Sequence, residues 1–241
     1  LPAGERALSL DVTVLFVCLN EARTIAACVA EAQAVMGPLG KRFEVLVADN
    51  GSTDGSPRLA EAAGARVTAV AGRGYGCAVR GGIAAAEGRV VVVADGDGTY
   101  DLSSVPAMLA AIDAGARLVI GCRLASGGGT IQPGAMSWSH RLGNPALSLL
   151  GRLSSGSTVQ DFHSGIRAFE RQMMLDLGLV TPGMEFASEM VVRAHAAGVA
   201  IQELPTTLRP PAKGRRSHLR TIRDGFRHVG LLLKEGAKRR L

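Results

Sequence analysis

Aromatic side chains make up only 4% of this 241-residue chain, with one Trp, two Tyr and six Phe. That scarcity excludes the stacking platforms on which proteins hold single-stranded nucleic acid, and no nucleic-acid partner is expected. Long apolar runs are also lacking. A typical one, Val90-Val91-Val92-Val93-Ala94, is strand-length and far short of the about 20 residues a bilayer span needs. No charged-then-apolar leader opens the chain. The cysteines Cys18, Cys28, Cys77 and Cys122 are widely separated and form no C-x-x-C pair. Reduced thiols of a cytosolic protein are therefore expected, not a zinc site. A Walker P-loop is absent. The stretch Gly72-Arg73-Gly74-Tyr75-Gly76 fails the G-x-G-x-x-G pattern in both registers, because Cys77 or Val79 stands where the third glycine belongs. It also follows the third strand and not the first, which argues against a dinucleotide-binding dehydrogenase.

What is present is an ordinary globular composition, 47% hydrophobic and 20% charged, in a chain long enough for one large α/β domain. The net charge of +6 is unevenly spread. From residue 206 to 241 there are 11 Lys/Arg against Asp224 and Glu235 alone, a local balance of +9, whereas the rest of the chain stands at −3. A nearly neutral body with a basic tail is expected to meet something anionic.

Strand and helix patterns alternate through the first half. Residues 12–18, 43–48, 66–70 and 89–94 read as strands, and the stretches following the first three, to about 36, over 56–63 and over 76–87, read as helices. Such alternation implies right-handed βαβ units and a parallel sheet covered on both faces. Beyond 125 the pattern weakens to a flexible loop at 126–130, helices over 141–153, 184–197 and 220–233, and a strand over 199–204. The expected organisation is one α/β domain over 1–205, with halves at 1–125 and 126–205, followed by a basic segment over 206–241.

Polar clusters follow the strands: Asn20-Glu21 after the first, Asp49 to Asp54 after the second, and Asp95-Gly96-Asp97-Gly98-Thr99-Tyr100-Asp101 after the fourth. Ligands of open α/β sheets sit beyond the carboxyl ends of the strands. An Asp-x-Asp in that position sets two carboxylates on a tight turn. Gly96 and Gly98 leave room for a diphosphate and a hard cation, Mg²⁺ or Mn²⁺. An Asp/Gly turn alone would be unremarkable; its weight comes from the neighbouring strand ends.

The order Cys18-Leu19-Asn20-Glu21, Ala48-Asp49-Asn50-Gly51-Ser52-Thr53-Asp54-Gly55, Gly74-Tyr75-Gly76 and Ala94-Asp95-Gly96-Asp97 resembles inverting family 2 glycosyltransferases of the GT-A fold. The later motifs are Gly121-Cys122-Arg123, Asp161-Phe162-His163-Ser164-Gly165-Ile166-Arg167 and Gly183-Met184-Glu185-Phe186-Ala187-Ser188-Glu189. They look like the dolichol- or polyprenyl-phosphate hexose synthase branch. The resemblance implies an α/β, Rossmann-like, mostly parallel sheet sandwiched by helices. It implies that Asn20, Glu21, Asp49, Gly74, Asp95, Gly96 and Asp97 bind the nucleotide sugar, with Asp95 and Asp97 on the metal and Asp101 an outer ligand. Arg123, Ser164 and Arg167 match positions that handle phosphate, joined by Lys213, Arg215 and Arg216 in a loose form of the branch's C-terminal R-x-x-G-x-S-K signature. Catalytic roles fall to Asp95, Asp97, Arg123, Arg167, Glu185 and Glu189.

The acceptor is left open between a polyprenyl phosphate, whose oxygen is already anionic, and a soluble hydroxyl. A hydroxyl would need a base from among Glu185, Glu189, Asp161 and His163. A non-catalytic membrane- or nucleic-acid-binding module is the remaining reading. In the final helix Leu219, Ile222, Phe226, Val229 and Leu233 recur at three- and four-residue steps, flanked by Arg220, Arg223 and Arg227. That basic amphipathic helix is expected at an anionic membrane surface, peripheral on the cytoplasmic face, although packing its stripe on the body is the plainer alternative.

Overall fold

A computed structural model describes residues 10–212 and 221–238. Its centre is a seven-stranded sheet in the order β3 (Arg66–Ala69), β2 (Phe43–Asp49), β1 (Leu10–Cys18), β4 (Gly88–Asp95), β7 (Arg167–Glu170), β5 (Leu118–Cys122), β8 (Ile201–Pro205). Strands β1, β2 and β4 are mostly apolar through their centres because both faces are covered. Thr13, in the middle of β1, is buried without penalty: its hydroxyl donates to Glu44 Oε1 (2.7 Å) and accepts from Gly88 N (2.9 Å). Helices α1 (Ile25–Met36), α2 (Ser56–Ala62) and α4 (Val105–Asp113) seal one face through Ile25, Val29, Met36, Val105 and Met108. On the other face α3 (Tyr75–Ala85), α6 (Arg171–Asp176) and α7 (Phe186–Ala196) bury Val79, Ile83, Met173, Phe186 and Val191. Each such side chain contributes about 1.5–3 kcal/mol on burial.

The chain runs outward from β1 through β2 to the edge strand β3 (Arg66–Ala69), and α3 then carries it back to β4 on the far side of β1. This reversal creates a crevice at the carboxyl ends of β1 and β4. In the parallel registers Cys18 stands opposite Asp49, and Val17 opposite Asp95. The polar loops that follow the three strands therefore start at the same level.

Residues 126–205 extend that sheet. Strand β7 (Arg167–Glu170) enters antiparallel between β4 and β5 (Leu118–Cys122), and β8 (Ile201–Pro205) adds to β5 in parallel. The short strands β6 (Thr130–Ile131) and β9 (Thr207–Leu208) pair beside it, so part of the stretch expected as loop is extended and paired. Helix α5 (Trp138–Ser155) starts on the Ser137 side chain, which accepts from His140 N, and stops at Gly156 in the left-handed region. It exceeds the expected 141–153 at both ends. Helix α8 (Thr221–Lys238) packs against α5 and α7. Lys213, Arg215, Arg216, Leu219 and Arg220 lie outside the described residues. All four cysteines are unpaired thiols, and among the described residues no helix is long and apolar enough to cross a membrane.

Candidate functional site

The loops after β1 and β2 are stitched to each other. Asn20, the one described non-glycine residue with positive φ (57°), accepts from Thr53 N (2.8 Å) through its side chain and donates its own N–H to Ser52 Oγ (2.8 Å). Glu21 N donates to Ser56 Oγ (2.8 Å), and Ala22 N to Asp54 Oδ2 (2.9 Å). Asp49 turns its carboxylate onto the N–H groups of Gly51 and Ser52 (3.2 Å each). Asn50, which sequence reading left without a role, clamps the next loop by donating to Gly72 O and accepting from Gly74 N.

Gly74 has φ +119°, and a Cβ there would fall 2.3 Å from Pro182 O; one on Gly76 would fall 2.2 Å from Thr181 O. The close approach that demands glycine at these positions is thus to the backbone of residues 181–183. That packing requires glycine at both positions, whatever else Gly74 contacts.

The acidic cluster turns sharply at the end of β4. Gly96 N donates to Val17 O (2.9 Å), while Gly96 O accepts from Thr24 Oγ1 (2.8 Å). Asp97 Oδ1 accepts from Thr99 N (3.0 Å) and Thr99 Oγ1 (2.6 Å), with Gly98 at φ +73° completing the turn. Asp101 is engaged by other groups. It accepts from Ser103 N and is bridged by Arg209 (2.8 Å). Burial opposes its charge, but those bonds hold its carboxyl below the ordinary value of 3.8. These bonds give Asp101 a structural role at the end of the turn. Among the described residues no three His, Cys, Asp or Glu side chains gather into a metal cage. Asp95 and Asp97 supply hard carboxylate oxygens, a donor set that suits Mg²⁺ or Mn²⁺ with phosphate and water oxygens completing the shell.

Across the crevice lies a buried ion pair. Arg123, following β5, donates to Asp161 through Nε (2.8 Å), a terminal nitrogen (2.7 Å) and its own backbone N–H (3.0 Å). The Arg123 side chain is 7% and the Asp161 side chain 1% exposed. Burial would raise the Asp161 pKa, but Arg123 brings it below the carboxylate norm. The phenol of Tyr100 accepts from Gly165 N (2.6 Å) and from Arg123 (3.4 Å). It thereby ties the acidic turn to the 161–167 loop, a link no sequence pattern announced. A Cβ on Gly165 would fall 2.8 Å from Asp95 Oδ2, so that loop presses directly against Asp95.

Three expected participants are turned inward. Arg167 is 2% exposed, and its three guanidinium nitrogens donate to the carbonyls of Ser164, Ala187 and Phe162 (2.7–2.9 Å). With those carbonyls as its partners it braces the loop. Glu189 is fully buried. It accepts from Val180 N, Thr181 N and Thr181 Oγ1 and pairs with Arg193 (3.1 Å), so it anchors residues 180–181 and is not placed to act as a base. His163 sits between Ser148 and Ser188 (3.4 Å each), edge-on to His228 at 4.6 Å. Burial first, then His228 and Arg123, push its pKa well below 6.5.

Two others keep unsatisfied atoms. Ser164 Oγ and Glu185 Oε2 are buried without a hydrogen-bond partner among the described residues. Glu185 caps α7, with Oε1 accepting from Gly183 N (3.3 Å). Arg193 Nε, in the last turn of α7, is a third such atom, and buried polar groups are nearly always paired.

The geometry can be set beside known proteins. The model of Glycosyl transferase family 2 matches residues 13–178. The chain is 36% identical over 223 residues to the low-salt glycan biosynthesis hexosyltransferase Agl6 of Haloferax volcanii, covering 92% of this chain and 52% of that protein. It thus spans about half of Agl6. It is 32% identical to a dolichyl-phosphate hexose transferase of the same organism, covering 84% of each chain. Among solved structures, glucosyl-3-phosphoglycerate synthase of Mycobacterium tuberculosis, in complex with Mn²⁺, UDP and glucosyl-3-phosphoglycerate, superposes with a TM-score of 0.70. The two are 25% identical, over 95% of this chain and 80% of that one. On the family match and these identities, the chain belongs to glycosyltransferase family 2.

Proposed function

We propose that this chain transfers a hexose from a nucleoside-diphosphate sugar to a polyprenyl phosphate, with inversion at the anomeric carbon. The observation that carries the reading is the meeting of Asp95 with the Tyr100–Gly165–Arg123 link. It sets an acidic metal-ligand turn against a loop whose Ser164 hydroxyl lacks a partner. The likeness to a dolichyl-phosphate hexose transferase supports the acceptor class, and the Mn²⁺–UDP complex of the similar synthase supports the donor and cation.

In this reading Asp49 and the Asn20 loop receive the nucleoside, and Asp95 with Asp97 hold the metal, Mg²⁺ or Mn²⁺. A bound divalent cation would neutralise charge on the departing diphosphate. A lipid phosphate carries its own anionic nucleophile, so no general base is required, and the residues' work is positioning and charge stabilisation. Ser164 Oγ donates to the acceptor phosphate. Arg123, fixed by Asp161, contributes a positive field from behind rather than a direct grip, because most of its donors are already engaged. A membrane-borne acceptor places the enzyme peripherally at the cytoplasmic face.

A second reading, transfer to a soluble hydroxyl, is favoured by one observation: the unpartnered Glu185 Oε2 is a candidate base. Incubation with labelled nucleotide sugars and short polyprenyl phosphate decides between the two. Label in the organic phase is expected. Its absence, with sugar on a water-soluble acceptor, overturns the lipid assignment.

A further inference from the structure

Between α5 and β7 the chain runs through residues 156–166 without helix or strand. Backbone amides in such a stretch need partners from elsewhere, and here side chains supply them. Val159 N donates to Ser157 Oγ (3.3 Å), Phe162 N to Ser148 Oγ (3.3 Å), His163 N to Asp161 Oδ1 (3.3 Å) and Gly165 N to the Tyr100 phenol (2.6 Å). The two remaining bonds come from one residue: Glu203 accepts from Gln160 N through Oε2 and from Asp161 N through Oε1, both at 2.8 Å. Glu203 is the one acceptor in this set that carries a full charge and lies outside the loop, and bonds to a charged acceptor are the stronger kind. Charge on an edge strand ordinarily serves to block the addition of another strand. On β8 the exposed Gln202 shows that outward character, whereas Glu203 is half-buried and spends both oxygens on the loop.

Resting on the acceptor-side roles given above to Ser164 and Arg123, we propose that Glu203 is a positioning residue for sugar transfer. It acts through the loop and not on the reacting atoms. Strand β8 pairs with β5 so that Glu203 stands opposite Ile120, and β5 runs on into Arg123. The far end of the loop is tied to the same strand, because Gly121 N donates to Ile166 O (3.0 Å). The segment from Gln160 to Ile166 is thus suspended from β8 at one end and from β5 at the other, with Tyr100 of the acidic turn holding Gly165 between them. Fixing the amide of Asp161 fixes the carboxylate that grips Arg123 through three donors. It also sets the height of Ser164, whose hydroxyl lacks a partner, and of Gly165, which lies against Asp95. The contacts that shape the nucleoside side, from Asn20 to Thr53 and from Asn50 to Gly72 and Gly74, are made without Glu203. Loss of Glu203 is therefore expected to disturb the acceptor side and spare the donor side.

Amide hydrogen exchange and kinetics on the full chain test this. In wild type the amides of Gln160 and Asp161 should exchange slowly for a stretch without helix or strand; fast exchange there overturns the proposal before any substitution is made. Glu203→Gln keeps the shape but turns an NH₂ group towards one of the two amides. Exchange at Gln160 and Asp161 should then quicken about tenfold, and transfer should fall about tenfold in kcat or in acceptor affinity. Donor KM and the Mn²⁺-dependent affinity for UDP or GDP should keep their wild-type values. Glu203→Asp, with both oxygens and the charge retained, should recover part of the loss. Unaltered transfer in E203Q overturns the proposal. So does a loss shared equally by donor KM, nucleotide affinity and kcat, which would make Glu203 a structural residue only. Should E203Q fail to fold, the milder E203D is judged by the same criteria. If wild type labels only a water-soluble acceptor, the lipid-phosphate reading fails, while the exchange data and the split between donor and acceptor sides still decide the role of Glu203.

Discussion

A Cβ on Gly76 would stand 2.2 Å from Thr181 O, and Glu189 holds the same Thr181 through its backbone N–H and hydroxyl. The glycine-rich turn and the loop before α7 are therefore fitted backbone to backbone, with a buried carboxylate fixing one side. Gly76→Ala must displace that contact. The expected cost is about 1–3 kcal/mol of stability, read as a lower urea midpoint with little change in slope. A neutral substitution would show that the loop yields freely.

Glu189→Gln and Glu185→Gln separate two carboxylates four residues apart. The first leaves half-buried Arg193 and the 180–181 amides short of a charged acceptor and should lower thermal stability. The second touches only a weak bond to Gly183 N and should leave melting nearly unchanged. If E189Q melts like wild type while E185Q collapses, the assigned roles are reversed.

Asp161→Asn keeps the shape of the Arg123 partner and removes its charge. Breaking a buried pair from one side costs about 3–5 kcal/mol, so a large loss of stability is expected, together with reduced sugar transfer. A folded, fully active variant would remove Arg123–Asp161 from the account of the site.

For the metal, Asp95→Ala and Asp97→Ala are expected to abolish the Mn²⁺-dependent part of UDP or GDP affinity measured by calorimetry. The metal-independent part should remain. Unchanged metal dependence in both variants would move the cation elsewhere.

His163 supplies a pH signature. Its pKa in the folded protein lies well below 6.5, caused by burial first, then His228 and Arg123. The unfolded chain therefore takes up this proton first as pH falls. The stabilising contribution of neutral His163 is complete above about pH 6.5 and is lost progressively on acidification towards the folded value. Melting temperature should drop between about pH 7.5 and pH 5.5, and His163→Asn should flatten that slope; His140, also lowered by burial and Arg123, accounts for part of the remainder. An identical slope in H163N would assign the effect to other groups.

Much of the first half was legible because its signals are local. A strand such as Val90 to Ala94 is apolar on both faces only if it is central, and the Asp and Gly residues at its end are typical of a turn. The later strands were harder. Strand β7 is four residues long, starts with Arg167 and ends with Glu170, so nothing in its composition signals a buried place between β4 and β5. Its antiparallel entry is set by both neighbours. Arg123, Arg167 and Glu189 were all found as charged residues in recognisable motifs, yet motif membership carries no information about direction. Whether a guanidinium faces a phosphate or a carbonyl of its own chain depends on packing; the carbonyls that hold Arg167 come from Ser164 and Phe162 in the preceding loop and from Ala187 on α7.

By itself the sequence determined the alternating α/β order, the acidic strand ends and the family, because periodicity, turn chemistry and motif order are properties of neighbouring residues. Only the tertiary structure decided which charges stay available to a ligand. It pairs Arg123 with Asp161, turns Arg167 and Glu189 inward, leaves Ser164 and Glu185 with unsatisfied oxygens, and sets the leucines of α5 facing out. The physical reason is that a buried polar group must find its partner wherever packing puts one, and packing is fixed by the whole chain.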